Sequence, residues 1–310
     1  MAERGDILSK AEVQETFIYS HERFKVERER NAVSFIKSKP EDFSWSQVHK
    51  VGSNMRKGLS YDEDVLALFL EHHVYLSTEI MDICEAAMNS LIERYSTSET
   101  PEIEPDSGAY VLSARVKTLP TLKEKLVRMP KYPLENILDV SGIRFDCDLT
   151  LREQTEISEM FQSRLLKAGA DKVKIEDMRE NPHSGYRAVH LHIHCAAGRA
   201  ELQIRTALQA QWANMYETAA DMYGRDIRYL EFGAKLDGTA AKRVERLHQI
   251  SEVVYQSELL MDNVHSSPPQ DLQTVPLRQD TRQLRRKAYN LLRSELDSLQ
   301  QQRTIASNGK

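Results

Sequence analysis

Apolar residues recur at helical spacing through VLALFLEHHVYLSTEIMDICEAAMNSLIERY (65 to 95), so this stretch is expected to form a long helix. Residues 1 to about 100 read as helical throughout, with His72 and His73 on a helix flank. After the linker STSETPEIEPDSG the period changes near residue 109. YVLSARV alternates and predicts a strand, TLKEKLVRM a short helix, ILDVSGIRFDCDL a second strand, and LREQTEISEMFQSRLLKAG an amphipathic helix stopped at Gly169. DKVKIEDM, YRAVHLHIHCA and AELQIRT supply three further strands, the last two joined by a turn at Gly198-Arg199. Helical spacing returns in ALQAQWANMYETAADMYG from Ala207. It continues in GTAAKRVERLHQISEVVYQSELLMDNV and DTRQLRRKAYNLLRSELDSLQQQ, on either side of the linker SSPPQDLQTVP. The expected class is α/β (α+β), a mixed sheet of about five strands between helical arms. Its divisions are a helical extension over 1–100, an α/β domain over 101–225 and a second helical extension over 226–310.

Composition narrows the setting. The chain has 310 residues, 40% hydrophobic and 29% charged, enough for a sizeable core. No apolar run approaches the roughly 20 residues that span a bilayer, and the opening MAERGDILSKAEVQ lacks the apolar stretch of a secretion signal. Cys84, Cys147 and Cys195 are widely spaced, which argues against a disulfide framework or a cysteine zinc site and for a reducing cytoplasm. A net charge of -5 argues against uniform positive potential and leaves room for a local basic patch.

Four stretches of the central unit carry candidate chemistry. In SARVKTLPTLKEKLVR, Arg115, Lys117, Lys123, Lys125 and Arg128 gather around a strand-to-helix turn. Such a turn suits polyphosphate, although the lysines alone fit a solvated helix face equally. In DVSGIRFD, Asp139 reads equally as a Mg²⁺ ligand and as a turn cap paired with a lysine; Gly142 permits close approach and Arg144 points to one face. In AELQIRT, Glu201, Gln203 and Arg205 share one face of a strand, which is costly in mid-sheet unless that face is solvated or binds something. Glu201 would be the second carboxylate beside Asp139, one metal between two acids being a phosphoryl-transfer arrangement. In NPHSGYRAVHLHIH, Tyr186 follows Gly185 at the mouth of a strand, where its ring could stack on a base. Tyr186, His190, His192 and His194 share one parity, opposite the mostly apolar Arg187, Val189, Leu191, Ile193 and Cys195. Three histidines along one strand make a poor zinc site, since alternate side chains stand about 7 Å apart; the row reads as a polar, ring-lined binding face.

Together the four stretches resemble the RelA/SpoT family of alarmone synthetases, and more closely its small single-domain members and their toxic relatives. That family has an RxKxxxS/T loop followed by lysine, then DxxGxR, GYx[SA]xH and ExQxRT; this chain has RVKTLPT with Lys125, DVSGIR, GYRAVH and ELQIRT, in that order over residues 113 to 206. The resemblance implies a nucleotidyltransferase-like synthetase core that transfers pyrophosphate from ATP to the 3′-hydroxyl of an acceptor and releases AMP. Arg115 and Arg144 would flank adenine, and Lys117 and Lys125 would hold phosphates with Thr121 beside them. Asp139 and Glu201 would ligate Mg²⁺, and Glu201 would draw the acceptor proton. Tyr186 would stack on the acceptor base and His190 would position acceptor phosphate, with Gln203 and Arg205 on the acceptor side.

The chain departs from the small guanosine synthetases in EDMRENPHSGY, where Met178 and Arg179 replace Tyr and Ile, and His183 stands for a lysine that meets acceptor phosphate. ALQAQWANMYE, with Trp212 and Glu217, looks more like the toxic and actinobacterial-type branches. The expected acceptor is GDP or GTP, yielding (p)ppGpp. The alternative is a toxin of a toxin–antitoxin system, with an antitoxin partner, acting on the tRNA 3′ end or on adenine nucleotides. For RNA, Lys123 to Lys131 and RQDTRQLRRK (278 to 287) offer basic footholds, the latter also readable as a solvated helix. No His-Asp dipeptide occurs, so the family's hydrolase activity is not expected. A homo-oligomer is compatible with the helical arms, and no membrane partner is expected.

Overall fold

The computed structural model describes residues 34–224, 227, 238–265 and 274–308. The expectations for residues 1–33 and for 266–273 of the second linker lie outside these. Helix α1 (Trp45–Lys57) starts on a capping box between Ser44 and Gln47 and ends at Gly58, whose φ of 66° is the left-handed stop that glycine permits. Helix α2 (Glu63–Met88) starts where the Asp62 carboxylate accepts the Val65 N–H. Then come β1 (Ser96–Thr97), β2 (Ala109–Val116), α3 (Leu119–Arg128), β3 (Ser141–Cys147) and α4 (Leu151–Ala168), the last capped by Thr150 with Glu153. β4 (Lys172–Asp177), β5 (Val189–Cys195) and β6 (Gly198–Thr206) complete the sheet, followed by helices α5 (Ala207–Tyr223), α6 (Gly238–His265) and α7 (Thr274–Asn308). None of the described helices is long and apolar enough to cross a membrane.

The six strands lie in the order β1-β2-β3-β6-β5-β4, with β1/β2 and β3/β6 parallel and the other pairs antiparallel. The mixed sheet is the expected one, with one strand more: β1 pairs Ser96 with Ala109 and Thr97 with Tyr110 inside the stretch expected as linker. Two residues are too few to show a period, so only the neighbouring edge reveals it. The β5–β6 turn is at Ala196-Ala197 and not at Gly198-Arg199, because Gly198 already pairs with Cys195.

Pairing sorts the faces. Phe145 faces Leu112 across β2 and Ile204 across β6, while Leu202 faces Leu191. These residues form one core with Leu76, Ile80 and Cys84 of α2 and Ile157, Phe161 and Leu165 of α4, most of them inaccessible to solvent. The core thus runs continuously across residue 100, joining the N-terminal helices to the sheet. His72 and His73 are buried in it and not on an exposed flank: His72 Nε2 lies 2.7 Å from the Ala197 carbonyl and His73 Nδ1 lies 2.6 Å from Ser141 Oγ. A second core joins α1, the start of α2 and α3 through Phe69, Leu122 and Leu126; a third joins α5, α6 and α7 around Trp212, Leu247 and Leu292.

Candidate active site

The opposite sheet face is polar on every central strand. Because β3 is parallel to β6, Gly142 sits beside Glu201, Arg144 beside Gln203 and Asp146 beside Arg205; across β5, Glu201 faces His192 and Gln203 faces His190. One parity of each strand therefore fills the core and the other makes a continuous field of ionisable groups.

At the N-terminal end of β3, Asp139 sits in the short turn Leu138–Val140, two residues before the strand. Its carboxylate accepts from Lys117 Nζ at 2.8 Å and from Lys125 Nζ at 2.6 Å. Lys117 follows β2, and its N–H donates to the Val140 carbonyl at 3.0 Å. Lys125 is carried by α3, which Leu122 and Leu126 fix by complete burial. Burial alone would raise the Asp139 carboxyl, but the two ammonium groups hold it below the usual carboxylate range. Thr121 stands one helical turn before Lys125 and donates to the Thr118 carbonyl at 2.9 Å. Lys123 points elsewhere, over the Tyr61 ring at 5.5 Å. Arg115, at the exposed end of β2, pairs with Gly142. A Cβ at Gly142 would meet only ordinary contacts, the nearest being the Arg115 carbonyl oxygen at 3.6 Å, so the fold itself does not require glycine there.

In mid-sheet, Glu201 Oε2 accepts from Gln203 Nε2 at 2.8 Å, while Oε1 lies 3.3 Å from His190 Nδ1 and 3.6 Å from His192 Nε2. Burial opposes ionisation of Glu201, but the hydrogen bonds from His190 and His192 and from Gln203 hold it well below its ordinary value. Asp139 and Glu201 are thus held by separate partners, lysines on one and imidazoles on the other. Arg144 makes no hydrogen bond or ion pair among the described residues; burial, with Arg205 and Arg115 nearby, pushes its guanidinium down to about 10. Arg205 differs. It is buried and donates to both oxygens of Asp146 at 2.7 Å, so this arginine braces β6 against β3.

Tyr186 is not on the strand, which begins at Val189. It closes a tight turn in which its N–H donates to the His183 carbonyl at 2.8 Å, and both central residues have positive φ: Ser184 at 50° and Gly185 at 81°. The Tyr186 hydroxyl lies 3.1 Å from His190 Nε2, and burial pushes its pKa above the ordinary phenol value. Helices α5 and α6 clasp this turn. The Gly185 carbonyl accepts from Ser251 Oγ, and a Cβ on Gly185 would come within 2.9 Å of Trp212 Cζ2. Trp212, Tyr216 and His248 stack in file behind it, at 4.8 and 5.9 Å between centroids. Arg187 is buried between Glu252, 2.5 Å away, and the Tyr255 ring, 4.2 Å away. The replacement Arg179 is tied to Asp177 and to the Leu151 carbonyl at 2.6 Å, so it is a brace between β4 and α4.

Sequence reasoning brought out Tyr186, His190, Glu201 and the two lysines but missed four groups. Asp146 shares parity with Arg144, and that alternation was the available signal. Glu176 faces His190 from β4, and Ser251 and Glu252 come from a helix far along the chain; no local pattern marks either. One cation of the basic tail is locked into the fold. Arg285 is buried, 2.6 Å from Asp148 Oδ1, and donates from Nη2 to the Leu149 carbonyl at 3.1 Å. Arg286 and Arg293 face Glu104 and Glu102.

Comparison with known proteins matches residues 114–226 to a region found in RelA/SpoT proteins. Uncharacterized proteins of Mycobacterium bovis and Mycobacterium tuberculosis are each 37% identical over 203 residues, spanning 65% of this chain and 67% of theirs. Among solved structures, small alarmone synthetase 1 of Bacillus subtilis bound to pppGpp is similar at 22% identity and a TM-score of 0.47, covering 66% of this chain and 98% of its own. A GTP pyrophosphokinase family protein of Streptococcus pneumoniae is similar at 20% and 0.46, covering 69% and 95%. The matched region contains the lysine pair, Asp139, Glu201 and Tyr186, and the chain belongs to the RelA/SpoT family.

Proposed function

We propose that the chain is an ATP-dependent pyrophosphokinase that moves the β,γ-pyrophosphate of ATP to the 3′-hydroxyl of GDP or GTP, making (p)ppGpp and releasing AMP. The observation that carries this reading is the order of charges on the polar sheet face. Cations gather beside Asp139 at the start of β3, anionic Glu201 lies in mid-sheet, and Tyr186 stands near the far end, where Val189 pairs with Ile204. Asp139 and Glu201, both held ionised, are hard oxygen donors of the kind Mg²⁺ takes. Mg²⁺ held by them would neutralise charge on phosphate oxygens. Lys117 and Lys125 then exchange the Asp139 carboxylate for phosphate, which frees its oxygens. Tyr186 and His190 place the acceptor. Its 3′-oxygen bonds the β-phosphorus as that phosphorus loses its bond to the oxygen bridging to the α-phosphate. The hydroxyl proton passes to Glu201 and AMP leaves.

The tRNA reading draws less support, because Arg285, Arg286 and Arg293 already face acids of the fold. Purified protein incubated with γ-labelled ATP and, separately, GDP, GTP, ATP or deacylated tRNA tests the proposal. Label is expected on GDP or GTP. Label on tRNA or ATP alone would move the chain to the toxin-type alternative, and label nowhere would overturn the reading. Tyr186→Ala should lower acceptor kcat/KM about 5- to 150-fold, the equivalent of about 1–3 kcal/mol of stacking; full activity would remove the stacking role.

A further inference from the structure

Glu201 has a neighbour that the proposed transfer leaves without a role, and that neighbour completes a second grouping with His190. His192 stands directly opposite it on β5, and His190 sits one pair further along. One ligand atom from each of His190, His192 and Glu201 lies within 4.8 Å of the other two. The two imidazole-to-carboxylate separations, 3.3 and 3.6 Å, are close to the edge of about 3.3 Å that a tetrahedron with metal–ligand bonds near 2.05 Å has. The histidine row alone could not do this; the acid from the neighbouring strand supplies the third corner.

Each of the three groups is also oriented from behind. His190 Nε2 meets the Tyr186 hydroxyl at 3.1 Å, which leaves Nδ1 to the cluster. His192 Nδ1 lies 3.5 Å from Glu176 Oε2, which leaves Nε2. Glu201 Oε2 is held by Gln203, which leaves Oε1. A carboxylate or hydroxyl behind a ring nitrogen fixes the tautomer and raises the basicity of the other, as it does around metal-bound histidines. Two imidazoles and one carboxylate select borderline divalent ions over Mg²⁺, which prefers oxygen throughout.

We propose that His190 Nδ1, His192 Nε2 and Glu201 Oε1 form a three-ligand site for a zinc-class divalent ion, which shares only Glu201 with the magnesium proposed to accompany the nucleotide. An open position on such an ion takes water or a phosphate oxygen. While it is filled, Glu201 is not available as a base. The test uses the full chain, stripped of metal by a chelator and free of nucleotide. Co²⁺ is titrated in and followed by its visible ligand-field bands, with Zn²⁺ as competitor. Expected are bands that saturate, yield to Zn²⁺ and persist in about a hundredfold excess of Mg²⁺. His192→Ala should lower Co²⁺ affinity at least about tenfold, and Glu176→Gln by about 10- to 100-fold. Absence of the bands, or equal affinity in parent, His192→Ala and Glu176→Gln, overturns the proposal. Circular dichroism melts show whether His192→Ala is folded, and Glu176→Gln, at the surface, answers the question if it is not. Lys117→Ala impairs the proposed transfer and should leave Co²⁺ uptake unchanged, so the two readings fail separately.

Discussion

Gly185→Ala tests how tightly the Tyr186 turn is clasped. Two costs add at this position. Its φ of 81° is open to glycine but costs an L side chain about 1–2 kcal/mol. The new Cβ would lie 2.9 Å from Trp212 Cζ2 and 3.1 Å from His248 Cδ2, and forcing a methyl into such a packed wall costs about 1–3 kcal/mol. The expected loss is about 2–5 kcal/mol, read from urea unfolding by linear extrapolation, with a raised acceptor KM because Tyr186 moves with the turn. Trp212→Phe separates the two costs. By itself it is destabilising by about 1–3 kcal/mol, since the Leu247 carbonyl loses the indole N–H that donates at 2.8 Å. Combined with Gly185→Ala it removes the atom in the way, so the double variant should be more stable than the sum of the singles by about 1–3 kcal/mol. A Gly185→Ala protein within about 0.5 kcal/mol of the parent, or a strictly additive pair, refutes the reasoning.

Gly142→Ala should leave stability unchanged or raise it by up to about 1 kcal/mol, since its Cβ meets nothing closer than 3.6 Å. It should raise the ATP KM by filling the polar face, as initial rates would show. His73 is buried with Nε2 unpartnered, and burial pushes its imidazole down to about 3 from 6.5. The unfolded chain therefore takes up a proton that the folded chain refuses: stability is full above pH 6.5 and falls by about 1.4 kcal/mol per unit between pH 6.5 and about 3. Urea midpoints at several pH values should show that slope, and His73→Leu should flatten it. Arg285→Ala strands the half-buried Asp148 and should be destabilising by about 3–5 kcal/mol in the same assay.

The central strands were legible because one parity of each is apolar: Val189, Leu191 and Ile193, or Leu202 and Ile204, announce a core side without help from neighbours. Parity also placed His190 and Glu201 on polar faces. It could not set the register, and register decides what each group does. Arg205 has the parity of Glu201, yet its position beside Asp146 makes it a brace. Asp139 is held from the end of β2 and from α3, and Glu201 from β5 as well as from Gln203 of its own strand, so most of these partners come from other elements. His72 and His73 looked peripheral in a helical pattern because polar residues usually sit outside; here Ser141 and the Ala197 carbonyl receive them. The Tyr186 turn was visible as a glycine–tyrosine pair, whereas the helix that grips it enters the sequence some 65 residues later.

That last separation orders assembly during synthesis. Lys117 and Lys125, which hold Asp139, and every strand of the sheet are translated by Thr206, whereas the frame around Tyr186 awaits Ser251, Glu252 and Tyr255. On the proposed function, the residues meant for phosphate therefore leave the ribosome before the frame meant to seat the acceptor is complete.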